Sequence, residues 1–255
     1  MRDYLRTSDL ARAAGVHPNT VRRYVEWGLL PPVERTPAGY RRFTQRHLDC
    51  LRLARLVYIA SYPGRGLRQS SVEVVRRVVA DDLPGALEQA RDHLRLVQAE
   101  RDQAEQAAVV LERWAAGRAD EPVEPALQTS QVIRLLGVTF DMLRGWERNG
   151  LISVPRDSHN RYRRFTPREI SRLRVIRMLG QAGYSHMAML RMFLQLDRGE
   201  TGNLRQALDT PRPDEDIFSA ADRWLSTLSE QEELSHQALA LVEEIIERAA
   251  GSDKD

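Results

Sequence analysis

Residues 7–44 read TSDLARAAGVHPNTVRRYVEWGLLPPVERTPAGYRRFT, and residues 129–166 read TSQVIRLLGVTFDMLRGWERNGLISVPRDSHNRYRRFT. The two align without a gap at an offset of 122 residues, with 13 identities in 38 positions. Where residues differ, apolar character is often kept: Leu10/Val132, Val21/Leu143, Tyr24/Trp146 and Leu30/Ile152. Beyond the stretch, Arg46/Arg168, Leu51/Leu173, Arg52/Arg174 and Arg55/Arg177 also match. Self-similarity of this length marks a duplicated structural unit.

Within one copy, the residue types dictate a sequence of short elements. TSDLARAAG reads as a helix capped by Thr7 or Ser8 and ended by Gly15, with Leu10, Ala11 and Ala14 facing inward. HPNTVRRYVEWG starts a second helix, with Pro18 in the first turn and Gly28 past the end. Two short helices joined by a tight Gly-Val turn make a helix-turn-helix, locked by Val16 and Val21. In the second copy Thr139 is the expected cap, with Val138 and Leu143 as the lock. Pro31, Pro32 and Pro37 then exclude helix, and a hairpin fits, with Tyr40 to Phe43 as its return strand. Tyr40 and Phe43, like Tyr162 and Phe165, are expected to pack this wing on the helices. Thr44 then caps an amphipathic helix with Leu48, Leu51 and Val57 inward.

Charge repeats with the fold pattern. The net charge of +2 divides into +8 over residues 1–70, −5 over 71–125, +7 over 126–200 and −8 over 201–255. Two basic blocks of domain size point to two surfaces for a polyanion.

The blocks GVHPNTVRRYVEWGLLPP and GYRRFT, with their counterparts GVTFDMLRGWERNGLI and RYRRFT, resemble the DNA-binding domain of the MerR family of transcriptional regulators. The resemblance covers about 65 residues of each copy. It implies a mainly α fold: two winged helix-turn-helix domains, each followed by a long helix, with the long helices pairing as an antiparallel coiled coil. The expected divisions are a first domain at 1–80, a long helix at 81–117, a linker at 118–126, a second domain at 127–201 and C-terminal helices at 202–250. The family usually has two aromatics in mid-recognition helix; here Arg23 and Gly145 replace the first, and Tyr24 and Trp146 hold the second. Arg161 stands where a glycine usually precedes the wing tyrosine.

A recognition helix enters the major groove with its N-terminal part on base edges. That places His17, Asn19, Thr20, Arg22, Arg23 and Tyr24 of the first copy at DNA, with Thr139, Asp141, Met142, Arg144, Trp146 and Arg148 of the second. His17 can also serve as a helix cap. The resemblance adds the wing residues Tyr40, Arg41, Arg42, Tyr162, Arg163 and Arg164 as backbone or minor-groove contacts. It also implies double-stranded DNA and RNA polymerase as partners.

The acidic segments carry heptads. Leu83, Leu87, Ala90, Leu94, Val97, Arg101, Ala104, Ala108, Leu111 and Ala115 follow alternating spacings of four and three. Ala221, Leu225, Leu228, Glu232, Ser235, Leu239, Val242, Ile246 and Ala249 do the same. Antiparallel pairing would set Arg101 against Glu232, a charged pair that fixes register. One chain would then form a pseudo-dimer, with an ordinary homodimer as the alternative.

Other classes find no support. Cys50 is the single cysteine and reads as core; the histidines form no ligand-spaced pair, so no metal or cofactor is expected. No nucleophile–base constellation, P-loop or dinucleotide fingerprint argues for an enzyme. The N-terminus lacks a signal peptide and no apolar run is long enough to span a membrane, so a soluble cytoplasmic protein is expected. Trp114, Trp224 and the methionines at 187, 189 and 192 read as core, or as the lining of a pocket for a small-molecule effector. The alternative function is a drug-sequestering or protein-interaction module on the same duplicated scaffold.

Overall fold

The computed structural model describes residues 4–59, 65–117, 126–211 and 220–252. The chain is mainly α and divides into two compact units, residues 1–98 with 229–255, and residues 99–228. The expected linker falls largely outside the described residues.

In the first unit, α1 (Thr7–Ala13) and α2 (Pro18–Glu26) meet across Leu10, Ala11, Ala14 and Val21, all buried. The turn between them needs glycine. Gly15 has φ +63°, and a side chain there would begin 3.0 Å from the Arg55 guanidinium. Arg55, from α3 (Gln45–Ile59), donates to the Ala14 carbonyl at 2.7 Å and so finishes the first helix. The α1 cap differs from expectation: Arg6 is the N-cap, and the Asp9 carboxylate accepts from the Arg6 N–H at 3.0 Å. Asp9 reaches this donor because it lies three residues into the helix.

The wing is a hairpin of β1 (Glu34–Arg35) and β2 (Arg41–Arg42), antiparallel, with Glu34 opposite Arg42 and Arg35 opposite Arg41. Leu5 and Phe43 exchange backbone hydrogen bonds of 2.8 and 3.0 Å, which stitches the N-terminal segment to the wing base. Phe43 is fully buried, whereas Tyr40 is 66% exposed. The expectation that both aromatics seat the wing is therefore corrected: the phenylalanine alone does so, because the tyrosine sits at the turn end of the strand.

The core of this unit is closed by α3, α4 (Arg65–Val79), the first half of α5 (Leu83–Ala115) and the second half of α11 (Trp224–Ser252). Leu51, Val75, Ala86, Ala90 and Val242 are its buried centre. The two long helices run antiparallel here: Arg91 meets Glu243 at 3.4 Å and Gln98 donates to Glu232 at 3.0 Å. Gln98, one turn before Arg101, thus supplies a hydrogen-bond donor to Glu232. Ser235, the other polar seam residue, donates to the Gln231 carbonyl of its own helix at 2.7 Å. Arg248 clamps both oxygens of buried Asp49 at 2.8 and 2.9 Å.

The second unit repeats the plan with α6 (Thr129–Leu136), α7 (Phe140–Arg148), α8 (Pro167–Gln181) and α9 (His186–Asp197). Gly137 takes φ +60° at the turn, with Arg177 beside it as Arg55 is beside Gly15. Leu127 and Phe165 form the wing-base bridge, and Arg156 and Arg163 a single bridge above it. Phe165 is fully buried and Tyr162 is 69% exposed, so the correction made for Tyr40 holds in this copy too. The wing tip is built without glycine. Arg161 has φ +62° where Gly39 has +84°. Side chains hold the turn: Asp157 accepts from the N–H of His159 (2.9 Å) and Asn160 (3.2 Å), and Asn160 from that of Tyr162 (3.0 Å).

The later half of α5 packs into this unit, where Tyr184 donates to the Ala104 carbonyl at 3.1 Å. α10 (Leu204–Asp209) is tied in by Arg191, a buried arginine that donates to the carbonyls of Ala207, Leu208 and Asp222. Trp224, Met189 and Met192 are core, and Trp224 donates to the Ala182 carbonyl; Met187 is 45% exposed.

Candidate nucleic-acid interface

The two recognition helices present comparable faces. Each residue turns about 100° around a helix. With Val21 and Tyr24 buried, Asn19, Arg22, Arg23 and Glu26 must face outward, and all are exposed. With Leu143 and Trp146 buried, Asp141, Arg144, Gly145 and Arg148 occupy the same face of α7.

In the first unit His17 is the N-cap, its Nδ1 accepting from the Asn19 N–H at 3.2 Å. Asn19 Oδ1 accepts from Arg22 at 3.4 Å, and Thr20 is half-buried beside them. Arg23 lies 4.7 Å over the ring of Trp27, which stacks with Tyr24 and Tyr58. Tyr24 is 8% exposed, and burial raises the pKa of its phenol. It packs in the core: on the helix it falls one turn after Val21, on the inward face. Arg41 is half-buried, and exposed Arg42 makes a loose 3.9 Å pair with Glu34.

In the second unit Thr139 caps α7 through Met142 N–H at 3.1 Å. Phe140, Asp141 and Met142 stand exposed in the first turn, and Arg144 lies 5.6 Å over the Phe140 ring. Trp146 is 5% exposed and is core, for the same helical reason as Tyr24. Arg164 and Arg148 are exposed. Arg163 is different: its Nε lies 3.1 Å from both Glu147 oxygens and its Nη2 2.7 Å from Oε2. That bonding raises the Arg163 pKa and ties the guanidinium to Glu147 within the domain. The aligned position of Glu147 in the first copy is Val25, and no carboxylate pairs with Arg41 among the described residues.

Comparison with known proteins agrees with this geometry. Residues 5–57 and 127–195 each match the family described as MerR HTH family regulatory protein. The chain carries two MerR-type helix-turn-helix domains in tandem. Among curated relatives, the mercuric resistance operon regulatory protein of Bacillus cereus is 34% identical over 77 residues, 30% of this chain and 54% of that protein. The HTH-type transcriptional regulator CueR of Escherichia coli O157:H7 is 44% identical over 48 residues, 19% of this chain and 36% of that protein. CueR of Salmonella typhi is 44% identical over 48 residues, 19% of this chain and 35% of that protein. The chain thus spans about half or less of the length of these relatives. No solved structure matches it.

Within the first MerR-type domain, Cys50 is buried and its thiol pKa is pushed up to about 12 by burial. Among the described residues, no group of three His, Cys, Asp or Glu could hold a metal ion, and no helix is long and apolar enough to cross a membrane. Sequence reasoning missed Glu147, Phe140 and the helix-finishing role of Arg55. Each had a signal in the offset alignment: Glu147 against Val25, Phe140 against Pro18, and the matched pair Arg55/Arg177.

Proposed function

We propose that this chain is a sequence-specific, double-stranded-DNA-binding transcriptional regulator, in which each MerR-type domain reads one half of a pseudo-palindromic promoter site. The observation that carries this reading is the paired arrangement itself. Each domain sets an outward recognition-helix face, Asn19-Arg22-Arg23 or Asp141-Arg144-Arg148, beside a wing bearing Arg42 or Arg164. The basic blocks at these domains supply the long-range attraction to phosphate. In this reading one chain brings both reading heads to the site, and the antiparallel seam of α5 and α11, with Arg101 and Glu232 near its centre, takes the place of a dimer interface. Footprinting on genomic fragments, combined with the mass of the complex, tests it. Inverted half-sites covered by one chain are expected. Two chains per site would refute the single-chain arrangement, and the absence of a footprint at low salt would refute DNA recognition.

A further inference from the structure

The two reading faces carry different chemistry, and this extends the DNA-binding reading on which it rests. In the first domain the outermost residue of the first turn is Asn19, flanked by Pro18 and Thr20, with Arg22 and Arg23 behind it. An amide can donate and accept together, which matches the N6 and N7 edge of adenine, and a guanidinium matches O6 and N7 of guanine. This is a face for purine edges.

In the second domain the aligned residue is Asp141, flanked by Phe140 and Met142, each 45% exposed. A carboxylate only accepts. Adenine sets its acceptor N7 next to its amino donor, which repels a carboxylate, whereas cytosine N4 offers a donor with a C–H beside it. Phe140 and Met142 stand about 200° apart around the helix, one on each side of Asp141. Two large apolar side chains at this place fit the C5 methyl of thymine, the apolar group of the major groove. Gly145, where the first domain has Arg23, leaves open space at the centre of the face, with nothing within 4 Å of a Cβ built there. Arg144, lying over Phe140, sets positive charge one turn from the acid, and exposed Arg148 adds more two turns along the helix.

We infer that the second domain reads pyrimidine edges, cytosine through Asp141 and thymine methyls through Phe140 and Met142, so that the two half-sites differ in sequence although the domains are copies. Asp141 also sits where a negative charge favours a helix N-terminus, so the test must read base preference rather than stability.

The full chain is used to select its site from random duplexes. Thymine is then replaced by uracil, which lacks the methyl, in one half-site at a time. Binding is expected to weaken about fourfold per contacted methyl in the second domain's half-site, and to hold steady in the other. A Phe140→Ala/Met142→Ala variant should lose that sensitivity, and Asp141→Asn should shift one position from cytosine toward adenine by about tenfold. Uracil tolerated in both half-sites, or an unchanged base preference in Asp141→Asn, overturns the inference while leaving DNA binding intact. Failure of the wild-type chain to select any duplex overturns the DNA-binding reading beneath it.

Discussion

Arg41 and Arg163 are aligned wing arginines in two copies of one domain, yet they should respond oppositely to the same substitution. Arg163 is held by Glu147 at distances of 2.7 to 3.1 Å, and the two side chains are only 21% and 23% exposed. Val25 is the residue aligned with that glutamate in the copy that carries Arg41. Every phosphate that the protein no longer neutralises lowers the slope of log affinity against log salt by about 0.9. Arg41→Gln should therefore flatten the slope by about one phosphate and leave folding nearly unchanged. Arg163→Gln should leave the slope alone but cost about 1–3 kcal/mol of stability, because Glu147 then keeps its charge without its hydrogen-bonded partner. Val25→Glu should draw Arg41 into a pair and flatten the slope as Arg41→Gln does. Fluorescence anisotropy on a labelled site from about 50 to 200 mM salt, with urea unfolding of each variant, measures both quantities. Equal flattening by Arg41→Gln and Arg163→Gln would refute the reasoning, since it would mean that Arg163 leaves Glu147 to reach phosphate.

Further outcomes follow from buried groups. His93 is 4% exposed, packed among Leu56, Val74, Ser71, Ser235 and Ala238, and burial lowers its pKa to about 4 from 6.5. The unfolded chain then binds the extra proton between those values, so its contribution is complete above pH 6.5 and is lost as pH falls toward 4. Urea unfolding at pH 7 and pH 4 should show a loss about 3 kcal/mol larger in the wild type than in His93→Leu. Arg191→Leu removes donors from three buried carbonyls, and thermal unfolding should report a loss of about 3 kcal/mol or more. Cys50 should resist iodoacetamide in the folded chain and react only on unfolding, because the thiolate is the reactive form; rapid labelling under native conditions would contradict its buried position.

The repeat, the helix-turn-helix pairs and the antiparallel long helices are legible in the sequence because they rest on signals with one physical meaning. Gly15 and Gly137 sit at positive φ, Thr139 accepts from a free N–H of the first turn as a cap must, and Arg91 and Gln98 find partners on α11 in antiparallel order. The outward-facing residues are less legible. Tyr24 and Trp146 sit one turn after the inward Val21 and Leu143, a position that periodicity marks as core, although the family resemblance places them in the recognition helix. The wing tyrosines depart in the other direction. Strand alternation states which residues share a face, not where along the hairpin the core ends, so Tyr40 lies beyond it. Glu147's hold on Arg163 needs three dimensions, because the partners come from α7 and the wing.

What the two copies share and what they have changed separate by physical role. The shared Gly15/Gly137, Arg55/Arg177 and Phe43/Phe165 set the helix turn and seat the wing, where substitution meets strain or a cavity. The changed pairs Pro18/Phe140, Asn19/Asp141, Thr20/Met142 and Arg23/Gly145 lie on or beside the outward face of the recognition helix, where folding stability asks little of the side chain. Two identical chains meeting on DNA must carry identical faces, so any change for one half-site is imposed on the other. Two domains in one chain are free of that constraint. The second face carries a phenylalanine, a methionine and an acid in its first turn, each of which costs something in water or near phosphate. That cost is accounted for if the face has a partner edge of complementary chemistry.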